Sequence, residues 1–428
     1  MIQLGEKDEN TTRTYVQQLK QRCDEKDRKV DAIVADILEN VRNNGDKAVA
    51  EYTLKFDGSI PEQVEITKEQ MKELTKQCDA YFLEALERAA KNIHEFHSRQ
   101  KQQSWLDTKD NGVILGQRVR GLAKVGIYVP GGTAAYPSSV LMNAIPAKIA
   151  GVQEIVMVTP PGKDGKPNPD IMAAALVAGV DRVFLVGGAQ AVAALAYGTE
   201  TMPKVDKIVG PGNIFVATAK KHLYGTVDID MIAGPSEILI VADETANPKY
   251  LAADLMSQAE HDVLASAILL TTSSKIAEDT IAQIYEQVEH LERKDIINKS
   301  LDDFGAVIVC DTMDEAIEFA NDLAPEHLEV CVANPLEYIG RLDNAGSLFL
   351  GNYSPEPLGD YYAGPNHVLP TSGTARFFSP LSVDSFIKKS SFIYYTQDAL
   401  KAAKDDIVAL AEAEGLTAHA NSIKVRSE

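Results

Sequence analysis

The chain has 428 residues, and its 42 Lys and Arg residues against 62 Asp and Glu residues give a net charge of −20 at pH 7. This length is sufficient for two or three packed units with a hydrophobic core, whereas the negative charge argues against nucleic acids and anionic membranes as partners. A hydrophobic content of 45% and a charged content of 24% are typical of a globular protein and argue against a disordered or fibrous chain.

The sequence also predicts the compartment of the protein. Residues 1–23 are polar and lack the apolar core of a signal peptide, and the longest apolar run, 171–180, is too short to span a membrane. No Cys-x-x-Cys pair occurs among the four cysteines, Cys23, Cys78, Cys310 and Cys331. We therefore expect reduced thiols and a soluble cytoplasmic protein.

The first predicted elements are helices. Apolar residues between Val30 and Val41 recur at i, i+3, i+4 and i+7, which predicts an amphipathic helix that ends near Gly45, followed by a second helix that Asp46 caps. Residues 62–104 continue as charged helix. His94 and His97 lie three apart there, a spacing that can bind a metal, but their charged neighbours favour a solvated helix face for both.

From about residue 113, β-branched runs alternate with Ala-rich helical runs, the pattern of βαβ units around parallel sheets. The predicted strands form one series at 124–129, 154–159, 182–186 and 207–209, and a second at 237–242, 265–271, 306–310, 328–332 and 347–350. Two α/β sheets follow from these two series. Residues 351–380 are rich in Pro, Gly, Ser and Tyr and predict a functional loop, and 381–428 return to helix.

Two glycine turns follow strands of the first series, at 187–190 and at 210–213. Both lie where a parallel sheet places ligands and where helix N–H groups favour anions, although neither carries the G-x-G-x-x-G pattern. An ordinary βα turn that needs glycine remains an equal alternative.

Several side chains are suited to a metal or to acid–base chemistry. Gln258 and His261 lie three apart at the end of a predicted helix and can point to one spot. Glu326 and His327 form an adjacent carboxylate and imidazole at the entrance of a strand, which suits an acid–base pair, with an ordinary surface dipeptide as the alternative. Residues from distant segments can complete a zinc site of mixed O and N ligands: Asp360, Glu414 and His419.

Seven motifs in chain order match one known family. They are 126–132 (GIYVPGG), 187–190 (GGAQ), 209–213 (VGPGN), 233–237 (AGPSE), 257–262 (SQAEHD), 324–328 (APEHL) and 415–419 (GLTAH). On these motifs the chain resembles the histidinol dehydrogenases, zinc-dependent enzymes of the last step of histidine biosynthesis, over nearly its whole length.

The resemblance implies the roles of individual residues. Glu326 and His327 correspond to the acid–base pair. The zinc ligands correspond to Gln258, His261, Asp360 and His419. The NAD contacts correspond to Tyr128, Gln190 and Asn213. The substrate contacts correspond to Ser236, Gln258, His261, His327, Asp360, Glu414 and His419.

The resemblance also implies an NAD-linked oxidation of L-histidinol through L-histidinaldehyde to L-histidine, in which His327 is the base for hydride transfer and Glu326 activates water. The implied fold is α/β, with two Rossmann-like parallel-sheet domains of incomplete dinucleotide type. In this arrangement the larger domain consists of residues 24–127 and 236–380 and carries the zinc and catalytic residues. The second domain, residues 128–235, binds NAD. Small helical segments, 1–23 and 381–428, lie at the two ends, and the second reaches the partner subunit's site in a homodimer.

Two other functions remain open from the residues alone. A zinc hydrolase can use Glu326 as its base, because a carboxylate near a mixed-ligand zinc also suits attack by water. A non-catalytic binding protein with two lobes around a cleft fits two α/β units equally well. His367 has no assigned role and is interpreted as a loop residue.

Overall fold

The computed structural model describes residues 3–6, 19, 27–131 and 136–426. Its helices within these residues are α1 (Asp27–Asp57), α2 (Lys68–Thr75), α3 (Ala80–Ser98), α4 (Pro137–Ala150), α5 (Pro169–Ala178), α6 (Gly188–Tyr197), α7 (Ile214–Leu223), α8 (Pro248–Ala259), α9 (Ser274–Val288), α10 (Lys294–Phe304), α11 (Met313–Leu323), α12 (Glu356–Tyr361), α13 (Gln397–Ala413) and α14 (Thr417–Lys424). The strands are β1 (Gln3–Glu6), β2 (Glu65–Ile66), β3 (Trp105–Thr108), β4 (Ile114–Gly121), β5 (Lys124–Tyr128), β6 (Glu154–Thr159), β7 (Arg182–Leu185), β8 (Lys207–Val209), β9 (Asp228–Ile229), β10 (Glu237–Ala242), β11 (Ser266–Thr271), β12 (Gly305–Val309), β13 (His327–Cys331), β14 (Ser347–Leu350) and β15 (Ile387–Tyr394). Cys23 and Gly132 lie outside the described residues.

Two six-stranded sheets organise the described part of the chain. The first sheet has the order β1-β12-β11-β10-β13-β14 and is parallel throughout. The second sheet has the order β2-β7-β6-β5-β8-β9 and is parallel except for β2, which runs antiparallel to β7. The predicted α/β class with two parallel sheets is confirmed.

Both sheets are buried on both faces, which explains why their strands are continuous apolar runs. In β10, Ile238 and Ile240 face one hydrophobic cluster while Leu239 and Val241 face another. The second sheet repeats this alternation in β6, for example between Ile155 and Val156. Each sheet is therefore the middle layer of an α/β/α sandwich.

The helix boundaries follow from local sequence signals. Pro169 begins α5 behind Asn168, whose side chain accepts hydrogen bonds from the first turn, and the helix ends at Gly179 in the left-handed conformation. In the long first helix, Gly45 has φ 51° and ψ −133°, so two helical segments meet there at a kink. The N–H of Asp46 donates to Glu200 at 2.9 Å. The predicted helix end and new start at 45–46 are thus confirmed.

The packing of the N-terminal helices differs from the expected domain grouping. Helix α1 packs on α6 and α7, α2 packs on α5, and α3 packs on α4. Apolar residues of α1, such as Val34 and Ile37, share one core with Phe184 of the second sheet. These contacts group residues 27–98 with the 128–235 unit, whereas the expectation joins 24–127 to 236–380. The physical reason is that the apolar faces of these helices cover the helical layers of the second sheet.

Other segments also depart from the expectation. Strands β15, β4 and β3 form a separate antiparallel sheet, so the 381–428 segment begins with an eight-residue strand before its two helices. At the other end of the chain, β1 extends the first sheet beside β12, although 1–23 is predicted to be helical. Within that segment only 3–6 and Leu19, which is helical, are described. Both strands depend on partners far along the chain, which local periodicity does not reveal.

His97 also departs from the predicted solvated helix face. It is fully buried, its Nδ1 lies 2.8 Å from Oε1 of Gln100, and its Nε2 lies 3.4 Å from Nδ2 of Asn366. His94 is exposed as predicted. No helix of the described residues is both long enough and apolar enough to cross a bilayer.

Candidate active site

Glu326 and His327 lie at the amino end of β13, which lies between β10 and the edge strand β14 in the first sheet, and His327 pairs in register with Ile238. Both side chains are buried. Helix α8 runs back along the sheet, so its last turn brings Gln258 and His261 to the same edge. This site therefore lies at the amino ends of the strands, whereas open α/β sheets usually bind ligands at the carboxyl ends.

Glu326 and His327, the predicted acid–base pair, are held by one residue of the neighbouring strand. The backbone N–H of Glu237 donates to Oε2 of Glu326 at 3.0 Å, and Nδ1 of His327 donates to the carbonyl of Glu237 at 3.1 Å. Burial lowers the pKa of His327 to about 3 and raises the pKa of Glu326 well above its usual range. The imidazole is thus neutral, with its proton on Nδ1.

A group with metal-ligand geometry lies beside this pair. Ligand atoms of His261, Glu356 and Asp360 lie within 4.8 Å of one another. Nε2 of His327 lies 4.0 Å from both Glu356 Oε1 and Asp360 Oδ1, and it has no hydrogen-bond partner among the described residues. The acid–base pair and the ligand group therefore form one site.

The donor set fits a zinc ion. The amide of Gln258 is buried, and neither its oxygen nor its nitrogen has a hydrogen-bond partner within the described residues. Burial raises the pKa of Glu356 to about 8, with a further contribution from the charge of Asp360, and burial raises the pKa of Asp360 to about 6. Two carboxyl groups, an imidazole and an unsatisfied amide are the mixed O and N ligands that zinc accepts, and a cation would offset the desolvation of the carboxylates.

Glu356 and His367 have positions that the sequence did not assign. Ser257 Oγ donates to Glu356 Oε2 at 3.3 Å, so the α8 turn and α12 are joined. His367 donates from Nδ1 to the backbone carbonyl of Asp360 at 3.0 Å and lies 3.4 Å from Ser139 Oγ through Nε2. His367 thus ties α12, which carries Asp360, to α4. The helical i, i+4 spacing of Glu356 and Asp360 is the signal that could have paired them.

A cavity of about 280 Å³ opens beside these groups, and its walls include His327, Phe349, Asp360 and His367. Ser236 directly precedes Glu237, whose backbone holds the acid–base pair. The structure thus brings Gln258, His261, Glu326, His327 and Asp360 to one edge. The two C-terminal candidates lie elsewhere: Glu414 caps α13 and His419 lies on α14, both are exposed, and the ligand group of the described residues does not include His419.

The expected NAD contacts occupy the carboxyl edge of the second sheet. Tyr128 ends β5, and its hydroxyl accepts the N–H of Gly188 at 3.0 Å, at the start of α6. Burial raises the pKa of this phenol to about 12. Gln190 is buried, with both amide atoms unpartnered among the described residues. Asn213 caps α7 through bonds from the N–H groups of Phe215 and Val216.

Comparison with known proteins decides the family. The family model described as histidinol dehydrogenase matches residues 20–427. The chain belongs to the histidinol dehydrogenase family. It is 61% identical over 412 residues to the histidinol dehydrogenase of Clostridium acetobutylicum, with 96% of each chain covered. It is 59% identical over 395 residues to that of Caldanaerobacter subterraneus subsp. tengcongensis, with 92% of this chain and 91% of the relative covered.

A solved structure supports the same assignment. The crystal structure of the histidinol dehydrogenase from Elizabethkingia anophelis superposes with a TM-score of 0.93 at 39% identity and covers 99% of this chain and 98% of that one. The predicted resemblance is confirmed, and the protein is an oxidoreductase of the histidinol dehydrogenase family. Family membership therefore argues against the zinc hydrolase and the non-catalytic binding protein.

Proposed function

We propose that the protein oxidises L-histidinol to L-histidine through L-histidinaldehyde, with zinc bound and with two NAD used in succession. The observation that carries this proposal is the convergence of His327 and Asp360 at one cavity, with Glu326 beside His327 and His261 beside Asp360. Relatives that match the chain over nearly its whole length are named histidinol dehydrogenases.

Gln258, His261 and Asp360 would hold zinc, with His419 of the partner subunit as a further ligand. When bound there, zinc supplies an anchor for the imidazole and amino nitrogens of the substrate and so fixes the reacting carbon beside the cofactor. Glu356 lies close enough to join this ligand set or to orient the substrate. Ser236 and Glu414 of the partner subunit complete the proposed substrate contacts.

His327 is the proposed base of the hydride-transfer step. Because its Nδ1 donates to Glu237, Nε2 carries the lone pair, and the unpartnered Nε2 lies toward Asp360. At this position it accepts the proton of the alcohol as hydride leaves the carbon. NAD, when bound, would supply the hydride acceptor.

Glu326 is the proposed base of the second step. Its Oε2 lies 3.6 Å from Nδ1 of His327 and accepts the N–H of Glu237, so one carboxylate oxygen is fixed by the fold. The other oxygen is available to take a proton from water as that water attacks the aldehyde. Burial of this group strengthens its basicity.

The NAD site is proposed at Tyr128, Gln190 and Asn213. Three features favour a dinucleotide there: the unsatisfied amide of Gln190, the start of α6 without a side-chain cap, and glycines that allow close approach. A Cβ at Gly187 would lie 2.7 Å from Cβ of Pro160, so the turn tolerates no larger residue. The zinc pocket and the nucleotide site lie on different sheets, which suits exchange of NADH while the aldehyde stays bound.

A homodimer with shared sites is the proposed assembly. The antiparallel sheet supports it, because every residue of β15 after Ile387 is exposed and Trp105, Leu106 and Ile393 are more than half exposed. Exposed apolar strands of this kind mark an interface. The same sheet leads into the helices of Glu414 and His419. A cytoplasmic location remains part of this proposal.

The stoichiometry of the reaction tests the function. Purified protein with histidinol and NAD should form two NADH for each histidinol consumed when zinc is present, and turnover should cease once zinc is removed. Formation of one NADH per histidinol would reject the second oxidation. Turnover of only an ester or amide would reject the dehydrogenase function.

A further inference from the structure

Two opposite charges are buried beside the proposed nucleotide site. Lys220 on α7 and Asp230, just after β9, form an ion pair whose side chains are 3% and 1% exposed. Burying two charges costs desolvation free energy, and the attraction between them seldom offsets that cost. Apolar residues of similar size at the same positions would often give an equally stable or a more stable protein. General stability therefore does not account for this pair, and its remaining contacts indicate its role.

Both charged groups bind the same residue, Gly210. Lys220 Nζ donates to the carbonyl of Gly210 at 3.0 Å, and the N–H of Gly210 donates to Oδ2 of Asp230 at 2.8 Å. The other oxygen of Asp230 accepts the N–H of Met231 at 2.7 Å. The ion pair and Gly210 thus close a ring of hydrogen bonds, which fixes the start of the turn after β8.

The turn that this ring fixes is tightly packed. Gly210 has φ 110°, and a Cβ there would clash with the carbonyl oxygen of Tyr128. The turn continues to Asn213, the cap of α7, and Lys220 lies further along that same helix. One ring of contacts therefore sets the position of the turn relative to Tyr128 and to the N-terminus of α7.

We propose that the Lys220–Asp230 ion pair is a positioning device for the dinucleotide: it holds the turn from Gly210 to Asn213 against Tyr128 in the conformation that receives the cofactor. This inference rests on the proposed NAD site. Neither charged side chain needs to touch the nucleotide. A turn that is already ordered loses less conformational freedom on binding, so the pair raises nucleotide affinity rather than the rate of the chemical steps.

The test is a double variant, Lys220→Met with Asp230→Asn, in the full-length, zinc-loaded protein. It leaves no buried charge unpaired and so keeps the fold accessible. Titration with NADH, followed by fluorescence, should give a Kd at least about tenfold higher, and the KM for NAD should rise with kcat within about twofold, because ordering of the turn is then part of binding. Thermal unfolding and zinc content verify that the variant is folded and loaded.

A control pair, which is less buried than Lys220 and Asp230, comes from the other end of the same sheet. Lys148 Nζ lies 2.7 Å from Asp181 Oδ2, before β7, at the edge opposite to the proposed nucleotide site. The double variant Lys148→Met with Asp181→Asn should bind NADH as tightly as the wild type. A loss of affinity of equal size in this control would show a general effect of charge removal and would overturn the positioning role.

The remaining outcomes are also decisive. A folded Lys220–Asp230 double variant with wild-type Kd overturns the inference. If the double variant does not fold, the single variant Asp230→Asn replaces it, because Asn keeps an oxygen acceptor for Gly210. This single variant should show a smaller rise in Kd. A wild-type Kd, or a second failure to fold, also overturns the inference. Wild-type protein that binds no NADH would instead reject the nucleotide site itself.

Discussion

Nδ1 of His327 lies 3.1 Å from the carbonyl oxygen of Glu237, which is the last backbone group before the parallel pairing of β10 and β13 begins. Backbone N–H and C=O groups at the amino edge of a parallel sheet, where strand pairing has not yet begun, otherwise form hydrogen bonds with water. Here the side chains of the acid–base pair take up both the N–H and the C=O of Glu237. The frame of the sheet thus fixes the orientation and the tautomer of the imidazole.

Replacement of His327 by Gln should lower the rate of histidinol oxidation by about 10²–10⁴-fold, because the proposed base is lost. Zinc content and thermal stability should remain near the wild-type values. The measurement is NADH formation from histidinol, with metal analysis of the same sample. His290→Gln, on the surface at the end of the α9 region, serves as the control. Near-normal turnover in His327→Gln would remove this residue from the mechanism.

Replacement of Glu326 by Gln should separate the two oxidations. The first hydride transfer should persist, whereas oxidation of added histidinaldehyde should fall by about 10²–10⁴-fold, because no base activates the water. Rapid-quench analysis should show the aldehyde accumulating. Glu337→Gln, an exposed carboxylate, is the control. Equal activity of Glu326→Gln and wild type with histidinaldehyde would reject the role of Glu326.

Loss of a proposed zinc ligand should appear in metal retention before any assay of activity. His261→Asn should weaken zinc affinity by more than about 100-fold, which exceeds the losses of about 10–100-fold that are typical of residues supporting a ligand. Chelator competition monitored by metal analysis measures this affinity. Glu356→Gln in the same assay decides whether Glu356 belongs to the ligand set. Zinc affinity unchanged in His261→Asn would exclude it.

Mixed dimers test whether the sites are shared. His261→Asn and His419→Asn should each be inactive alone, yet a mixture that exchanges subunits should recover activity, because one of the two sites in each hybrid dimer then contains neither substitution. Random exchange predicts recovery of about a quarter of the wild-type activity. No recovery, despite hybrids confirmed by mass, would place both side chains in the same subunit's site.

His97 should make the fold acid-sensitive. Burial lowers the pKa of this side chain below its unfolded value, so the unfolded chain binds the extra proton, and the stability that depends on neutral His97 is present above the unfolded pKa and lost as pH falls. The wild type should therefore have a higher Tm than His97→Gln at pH 7.5, and this advantage should shrink at pH 5.5. The two pH values lie on either side of the pKa of about 6.5 that histidine has in an unfolded chain. A His94→Gln control should differ from wild type by a constant amount.

The sequence predicted those parts of the structure in which local pattern and environment agree. The parallel strands of both sheets are buried on both faces, so continuous apolar runs in the sequence predict them. The observed bounds of several strands equal the predicted ones, including those of β6, β8, β10 and β14. The Gly45 break and the turn at 210–213 carry their own chemical signals. The site residues were reached through motifs rather than spacing, and Gln258 with His261 alone was constrained locally.

The remainder depended on distant partners. Nothing near Ile387–Tyr394 reveals that β4 is its pairing partner, and the burial of His97 requires Asn366 from the loop beyond β14. The predicted site lacks Glu356 because the composition of 351–380 predicts a loop. In the structure α12 forms there and places Glu356 one helical turn before Asp360. Contacts of this kind are fixed by tertiary packing, which overrides local propensity.

The position of the acid–base pair at the first residue of β13 limits which insertions and deletions the gene can accept. Side chains alternate between the two faces of a strand, so one codon added or lost directly after His327 would turn its side chain to the other face relative to the rest of β13. Length changes should be tolerated in the surface turn near Gly165, which is remote from this register. Libraries built for altered substrates should therefore vary residue identity along 326–331 and reserve length variation for such turns.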